Sequence, residues 1–460
     1  MTTHSLRNGR LMAATLSVLI AALYAVLAIR RHLTLHTGGF DLGIFEQAIR
    51  NYSKLQPPIA ILKGPGYNLL GDHFHPILAA LAPIYAVFPS PLTLLGAQSV
   101  LFGIAAYPLV TWGHRALGPR TALAVGVVFG LSFGMVSAAA FDFHEIAFAV
   151  PLISFSVCAF GQRRFRRTAV FAIPLVLVKE DLGISVVAVI GVLIAVQGRR
   201  RLGIAVALVG VAASLIELFV LLPLANTVGG YDYWTRLGSG GSIVTNLSAL
   251  PLEKLGTTLL TVAITGFLAL FSPLALAAIP TLGWRFISND SNYWGTGFHY
   301  SAVLMPIMVA AMIDGMVRLK SRESARSRVV ARLGLAASLI VAVAVVPFHP
   351  LAQLASLKLW TANPQQRAVD RAFALIPDNA TVSASDNLIP QLTSRDDVTF
   401  FGLAPLSTVR PEWIVTDSQS TRHYRVTRAK EKRDVRMAIR SGYTVVLRQG
   451  AVTLLKRPGG

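Results

Sequence analysis

The sequence predicts an α-helical polytopic membrane protein with about 11 membrane segments, some short or re-entrant, followed by a small C-terminal α/β extracytoplasmic domain. Of its 460 residues, 53% are hydrophobic and only 14% are charged, whereas about a quarter of the residues of a soluble domain are charged. Apolar runs recur along most of the chain, and the basic residues lie in short clusters between them. This alternation is typical of membrane helices joined by cytoplasmic loops.

The formal net charge of +20 raises the alternative of a nucleic-acid-binding protein. Such a protein needs a contiguous basic face with groups that read bases, and the sequence contains none. We therefore expect membrane lipid, and no nucleic acid, as a partner. Cys158 is the only cysteine, which excludes disulfides and thiolate metal sites.

A membrane-crossing helix requires about 20 apolar residues, or fewer where it is broken. The segment 77–89 is short and bounded by prolines, so we predict an interfacial or re-entrant helix there. The predicted membrane segments are 11–29, 91–113, 121–139, 146–162, 168–178, 182–197, 203–222, 257–271, 273–284, 299–317 and 334–348.

Four basic clusters predict the orientation of these segments. They lie at 115–120, 163–167, 198–201 and 318–332, and the positive-inside rule places them in the cytoplasm together with the N-terminus. The first loop, residues 30–76, then faces outward, as do the loop 225–256 and the C-terminal domain. Most of the unusual polar residues are thereby predicted to lie at one membrane surface.

The chain divides into a transmembrane domain, residues 1–349, and a polar α/β domain, residues 350–460. The second part contains the strand-like runs "ATVSAS", "DVTFF" and "EWIVTD". The run "YTVVLRQGAVTLLKR" predicts a hairpin around Gln449–Gly450. Between these runs, "LIPQLT" and "RAKEKRDVRMAIR" are typical of helices.

The first outer loop contains two polar motifs, "FDLGIFEQ" and "GDHFHP". In the first, Asp41 lies at the membrane boundary, where a carboxylate costs free energy and usually has a function. The alternative is that Asp41 belongs to the solvated end of an amphipathic helix. The second supplies Asp72, His73 and His75, which are suitable ligands for a divalent cation or for a substrate. Loop histidines that only donate and accept hydrogen bonds are the alternative.

Three later motifs place polar groups at the same predicted surface. "FDFHE" at 141–145 also fits an aromatic belt, and "KED" at 179–181 also fits a solvated hairpin tip. "RFISNDSNYWGTGFHY" at 285–300 is suited to covering a ligand. The polar residues of these motifs are Asp142, His144, Glu145, Lys179, Glu180, Asp181, Arg285, His299 and Tyr300.

The order of these motifs resembles an uncharacterised family of predicted bacterial membrane proteins, which is similar to the glycosyltransferase C fold of protein mannosyltransferases and lipid A aminoarabinose transferases. The resemblance covers most of the chain. It implies a membrane enzyme that uses polyprenyl-phosphate sugars, with the acidic residue after the first span, here Asp41, as base or metal-binding carboxylate. The usual acidic pair is reduced here to Asp41, with Glu46 five residues later.

These observations predict a hexosyl- or pentosyltransferase that acts on an extracytoplasmic glycan, lipid or protein. Asp41 and Glu46 are the candidate catalytic residues. The candidates for binding the donor phosphate are Lys179, Arg285, His299 and Tyr300. Asp142, His144, Glu145, Glu180 and Asp181 are expected to line the cavity. The sequence identifies no cofactor, and a divalent metal ion is the one it leaves open. The alternatives are a transporter or flippase of a lipid-linked or anionic solute, and a non-catalytic membrane scaffold.

Overall fold

The computed structural model describes residues 3–226, 245–246, 252–361, 364–421 and 425–459. Most of the predicted outer loop 225–256 lies outside these residues. The chain is mostly helical. The α-helices are α1 (Thr3–Leu33), α2 (Ile44–Tyr52), α3 (Ala82–Val87), α4 (Pro91–Leu117), α5 (Pro119–Leu131), α6 (Phe133–Ala140), α7 (Ile146–Gly161), α8 (Phe165–Ala172), α9 (Val189–Val196), α10 (Arg200–Ile216), α11 (Leu222–Ala225), α12 (Leu252–Ala263), α13 (Ile279–Ile287), α14 (Leu304–Ser321), α15 (Ala325–Ala344), α16 (Pro364–Ala374), α17 (Leu406–Val409) and α18 (Arg428–Arg440).

Among the described residues, five helical stretches are long and apolar enough to cross a membrane, and the bent pair α5–α6, with an angle of 43° between its members, makes a sixth. All six contain a predicted segment. The five stretches are Leu6–Leu33, Pro91–Leu117, Arg200–Ala225, His299–Ser321 and Ala325–Phe348. The chain is therefore a multi-pass membrane protein, and the larger count of about 11 segments stays a prediction.

The remaining predicted segments form shorter or broken apolar helices. Residues 168–178 contain the end of α8 and a 3₁₀ turn, and residues 182–197 contain a π-helical turn followed by α9. The segments 257–271 and 273–284 are also interrupted by 3₁₀ turns. Irregular backbone at membrane depth is tolerated where protein or a cavity surrounds it, and the break between α8 and α9 borders the cavity described below.

The long helices α1 and α4 pack closely against each other. A Cβ atom at Gly103 of α4 would lie only 2.5 Å from the carbonyl oxygen of Ser17 and 2.7 Å from the Ala21 side chain. Small residues permit such close approach of helix backbones, which replaces the hydrophobic driving force that is absent within lipid.

Several predicted cytoplasmic segments meet at one end of the helices. Gly9, near the start of α1, contacts His114 at the end of α4, and Lys320 donates a hydrogen bond to the carbonyl of Ala116 at 3.3 Å. The clusters 163–167 and 199–201 line one shared surface cavity of about 810 Å³. The loops that carry the polar motifs follow the opposite ends of α1, α6 and α13.

The C-terminal part contains the strands β1 (Thr381–Ala384), β2 (Asp397–Phe400), β3 (Trp413–Asp417), β4 (Thr444–Gln449) and β5 (Val452–Lys456). They form one sheet in the order β2-β1-β3-β5-β4, in which β1 pairs in parallel with β2 and β3, and β5 pairs antiparallel with β3 and β4. Helix α16 packs against β5. Helix α18 packs through Ala438 against Ile414 and Leu455, whose neighbours Val415 and Leu454 belong to the main core. The predicted hairpin around Gln449–Gly450 is confirmed.

The C-terminal part packs directly on the loop that follows α1. A Cβ atom at Gly39 would lie 2.7 Å from the Ile389 side chain and 2.8 Å from that of Phe400. The rings of Phe40 and Phe400 pack with their centroids 4.8 Å apart. This contact fixes the position of the backbone that carries Asp41.

Candidate active site

A cavity of about 720 Å³ lies where the loop after α1, the 141–145 turn, the 179–181 break and the start of the His299–Ser321 span meet. Its volume is within the range of small-molecule sites. The cavity brings together ten of the candidate residues from five sequence motifs. They are Asp41, Asp72, His73, His75, His144, Lys179, Glu180, Asp181, His299 and Tyr300.

Asp41 lies in the π-helical turn Gly39–Gly43, immediately before α2. The side chain of Asp386, in the loop after β1, accepts hydrogen bonds from the backbone N–H of Gly39 at 2.8 Å and of Phe40 at 3.4 Å. The Asp41 side chain keeps 25% of its surface exposed, into the cavity. A carboxylate of the C-terminal part therefore positions the turn that presents Asp41.

The 141–145 turn presents His144 and is held by Gln98 of α4. The Gln98 amide donates to the carbonyl of Asp142 at 2.6 Å, and its oxygen accepts from the backbone N–H of His144 at 3.1 Å. Asp142 has a left-handed backbone, with φ of 51°, and its carboxylate accepts from Gly38 N–H at 3.0 Å. Asp142 thus joins two loops and does not line the cavity, in contrast to the prediction.

Glu145 is fully buried and, in contrast to the prediction, does not line the cavity; it lies between a histidine and a lysine. The Lys179 ammonium donates to Glu145 Oε1 at 3.0 Å, and His144 Nδ1 lies 2.5 Å from Glu145 Oε2. Burial alone would raise the pKa of Glu145, but the nearby His144 and Lys179 hold it well below its usual range. Burial alone would lower the pKa of Lys179, but the carboxylates of Glu145, Asp181 and Glu180 outweigh this effect and raise it. Both groups are therefore charged at neutral pH.

The "GDHFHP" motif is bound to the "KED" motif. His73 Nδ1 lies 2.6 Å from Glu180 Oε1, and the backbone N–H of Phe74 donates to Glu180 Oε2 at 3.1 Å. Asp72 forms an ion pair with Lys63 at 2.8 Å. Burial would raise the pKa of Asp72, but His73 and Lys63 outweigh it and lower the pKa. Burial lowers the pKa of His75 to about 4, so this ring is neutral.

Asp72, His73 and His75 form no metal-ligand cluster in the part of the chain that the structure describes. The group with that arrangement is Asp41, His144 and His299, whose ligand atoms lie within 4.8 Å of one another. The rings of His144 and His299 stack with a centroid distance of 3.5 Å. The candidate metal ligands are therefore different from those predicted, apart from the carboxylate that the family resemblance implies.

Arg285 does not line the cavity, contrary to its predicted role in binding phosphate. Its buried guanidinium donates to the carbonyls of Tyr293 at 2.7 Å and Gly295 at 2.8 Å, and to Ser301 Oγ at 3.1 Å. The rigid fork of an arginine suits several acceptors at once. Arg285 therefore holds the loop that carries His299 and Tyr300.

Glu46 also lies outside the cavity lining, contrary to the predicted catalytic role. Five residues along a helix correspond to a rotation of about 140°, which directs Glu46 away from Asp41. Its carboxyl accepts hydrogen bonds from Tyr85 Oη at 2.9 Å and from the Thr393 hydroxyl. Burial raises the pKa of Glu46 to about 7, despite these hydrogen bonds and the nearby Arg50. Glu46 is a buried link between α2 and the C-terminal part.

Four charged residues of the cavity were not among the predicted site residues, namely Lys63, Asp290, Asp386 and Arg425. Asp386 and Arg425 belong to the C-terminal part, and the Arg425 guanidinium lies 5.1 Å from the centre of the Phe40 ring. The motif "SASDN" contains a carboxylate directly after a strand, which is the only sequence signal for Asp386.

The motifs gathered here span most of the chain, and so does the similarity to known proteins. A family model described as "Predicted membrane protein (DUF2079)" matches residues 31–454. The chain belongs to this family. The comparison with curated proteins finds no match.

Among solved structures, the DUF2079 chain is similar to the crystal structure of ArnT from Cupriavidus metallidurans in the apo state. The TM-score is 0.56 at 13% sequence identity, and the match covers 95% of this chain and 97% of that one. The DUF2079 chain therefore has a fold like that of the GT-C glycosyltransferases. The predicted resemblance is confirmed in family and in fold.

Proposed function

We propose that this protein is an inverting membrane glycosyltransferase that moves a sugar from a polyprenyl-phosphate donor to an extracytoplasmic glycan, lipid or protein. One observation carries the proposal. In a chain with a GT-C-like fold, a carboxylate directly after the first span shares one cavity with the Lys179 ammonium group, four histidines and Tyr300.

Asp41 is the proposed general base. Its carboxylate accepts the proton of an acceptor hydroxyl while that oxygen attacks the anomeric carbon of the sugar. The bond between the anomeric carbon and the phosphate oxygen breaks, and polyprenyl phosphate leaves with the electron pair. Because phosphate is already a good leaving group, the remaining task is to position it and balance its charge.

Lys179 is the proposed phosphate ligand. A lysine ammonium has three N–H donors, and the hydrogen bond to Glu145 uses one of them. His299 and Tyr300 line the same cavity and supply hydrogen bonds to the donor. Arg285 is excluded from this role because its donors are bound within its own loop.

The proposed site faces the outside of the cell membrane, with the N-terminus in the cytoplasm and the C-terminal domain, residues 350–460, outside. Basic loops that the positive-inside rule assigns to the cytoplasm meet at one end of the helices. The cavity lies at the other end of α1, where the loop that carries Asp41 begins. The C-terminal part supplies Asp386 and Arg425 to that cavity.

The experiment compares envelope glycans and glycolipids, by mass spectrometry, between cells with and without the gene. We expect a sugar residue to be missing without the gene, restored by the wild type and by the exposed control Asp370→Asn, and not restored by Asp41→Asn at equal protein level. Identical glycans in all strains would overturn the proposal. Full restoration by Asp41→Asn would overturn the role of Asp41.

A further inference from the structure

Three potential metal ligands from distant parts of the sequence meet at one point of the cavity wall. Asp41 follows the first span, His144 lies between α6 and α7, and His299 begins a later span. His144 Nε2 and Asp41 Oδ2 are 3.7 Å apart, too far for a hydrogen bond. Two ligands that bind one ion at 2.0–2.2 Å lie about 3.3 to 3.6 Å apart in tetrahedral geometry. The observed spacing therefore suits a shared cation better than a direct contact.

A second carboxylate fixes the orientation of the His144 ring. Glu145 Oε2 lies 2.5 Å from His144 Nδ1, while His144 Nε2 is directed to Asp41. A proton on Nδ1 leaves the Nε2 lone pair directed into the cavity. A carboxylate behind a histidine is the usual outer partner at protein metal sites, where it sets the tautomer and the ring orientation.

His299 supplies the independent observation. This side chain is 3% exposed, and neither ring nitrogen has a hydrogen-bond partner within the residues that the structure describes. Buried polar atoms are paired in the great majority of cases, and a bound ion is one explanation of an exception. The His299 ring also stacks on that of His144 with a centroid distance of 3.5 Å, so the two imidazoles lie side by side at this point.

We infer that Asp41, His144 and His299 form a site for one divalent transition-metal ion, with Glu145 as the outer carboxylate that orients His144. Two imidazoles and one carboxylate favour Zn²⁺, Mn²⁺, Fe²⁺ or Co²⁺ over Ca²⁺ and Mg²⁺, which prefer oxygen ligands. The remaining coordination positions face the cavity, an arrangement typical of a site that admits a substrate. A carboxylate has two oxygens. One oxygen of Asp41 can therefore bind the ion while the other accepts the proton of the acceptor hydroxyl.

The test is a titration of chelator-treated, full-length protein in nanodiscs with Co²⁺, followed by visible absorption and by metal analysis after gel filtration. We expect one Co²⁺ per chain with a d–d spectrum that Zn²⁺ abolishes by competition. His144→Ala and His299→Ala are expected to lose this spectrum. Glu145→Gln is expected to weaken binding about 10- to 100-fold. His73→Gln is the matched control, because it removes a cavity histidine outside the cluster, and it is expected to bind as the wild type does.

Absence of stoichiometric Co²⁺ in the folded wild type, or unchanged binding in folded His144→Ala and His299→Ala, would overturn the inference. Loss of the spectrum in His73→Gln alone would place the ion at the other motif and would also overturn it. The readout does not depend on sugar transfer. Metal binding without transfer would therefore count against the proposed function alone, and transfer by a protein that binds no metal would count against this site alone.

Discussion

The buried carboxyl of Glu46 is expected to make the stability of the protein depend on pH. Its pKa in the folded chain is raised to about 7, because it is buried between α2 and the C-terminal part. Below the unfolded pKa of 4.5, Glu46 is protonated in both the folded and the unfolded chain, and its ionisation does not reduce the free energy of unfolding. Between the two values the unfolded chain releases the proton first, so stability falls as pH rises, and the loss is complete above pH 7.

The expected loss is about 3 kcal/mol, since each unit of pKa difference corresponds to about 1.4 kcal/mol. The assay is thermal unfolding of wild type and Glu46→Gln from pH 5 to pH 8. The wild type should lose several degrees more than the variant, because glutamine does not ionise while the other buried acids are common to both proteins. Parallel pH profiles would refute this account. Loss of activity at unchanged stability in Glu46→Gln would instead restore the catalytic role predicted from the sequence.

Two further predictions concern the groups that hold the site. Lys179→Met leaves Glu145 buried without its ammonium partner, 3.0 Å away in the wild type, and is expected to lower the free energy of unfolding by about 3–5 kcal/mol; adding Glu145→Gln should recover part of the lost thermal stability, and no recovery would contradict the pairing. Asp386→Asn removes the charge that accepts from Gly39 N–H and should lower the rate of transfer more than donor affinity; equal kinetics in the variant would show that Asp386 does not position Asp41.

The regular elements could be predicted because their signals are local. The predicted helix "RAKEKRDVRMAIR" is α18, and the hairpin around Gln449–Gly450 is β4 and β5. The six long apolar stretches were visible as hydrophobic runs. The shorter runs were predicted as segments but contain 3₁₀ and π-helical turns, because a single hydropathy pattern does not distinguish a full crossing from a broken helix packed against a cavity.

The members of the site were harder to assign than their motifs. Composition indicated which loops carry polar groups, but not the direction of each side chain. Lys179 lines the cavity, whereas Arg285 does not, because its guanidinium donates to backbone carbonyls of its own loop. No sequence motif indicates where such carbonyl acceptors lie. The Asp386 carboxylate accepts a hydrogen bond from Gly39 N–H, which is 347 positions away in the sequence. Only the packing of the C-terminal part on the first loop creates this contact.

The most direct test of the central claim is the initial rate of sugar transfer by purified protein in nanodiscs, with the donor and acceptor that the glycan comparison identifies. We expect Asp41→Asn to lower this rate by about 10²- to 10⁴-fold, the usual contribution of a general base, while binding of polyprenyl phosphate and the thermal midpoint stay close to those of Asp370→Asn. A rate for Asp41→Asn equal to that of the wild type would contradict the claim that Asp41 is the general base of the transfer.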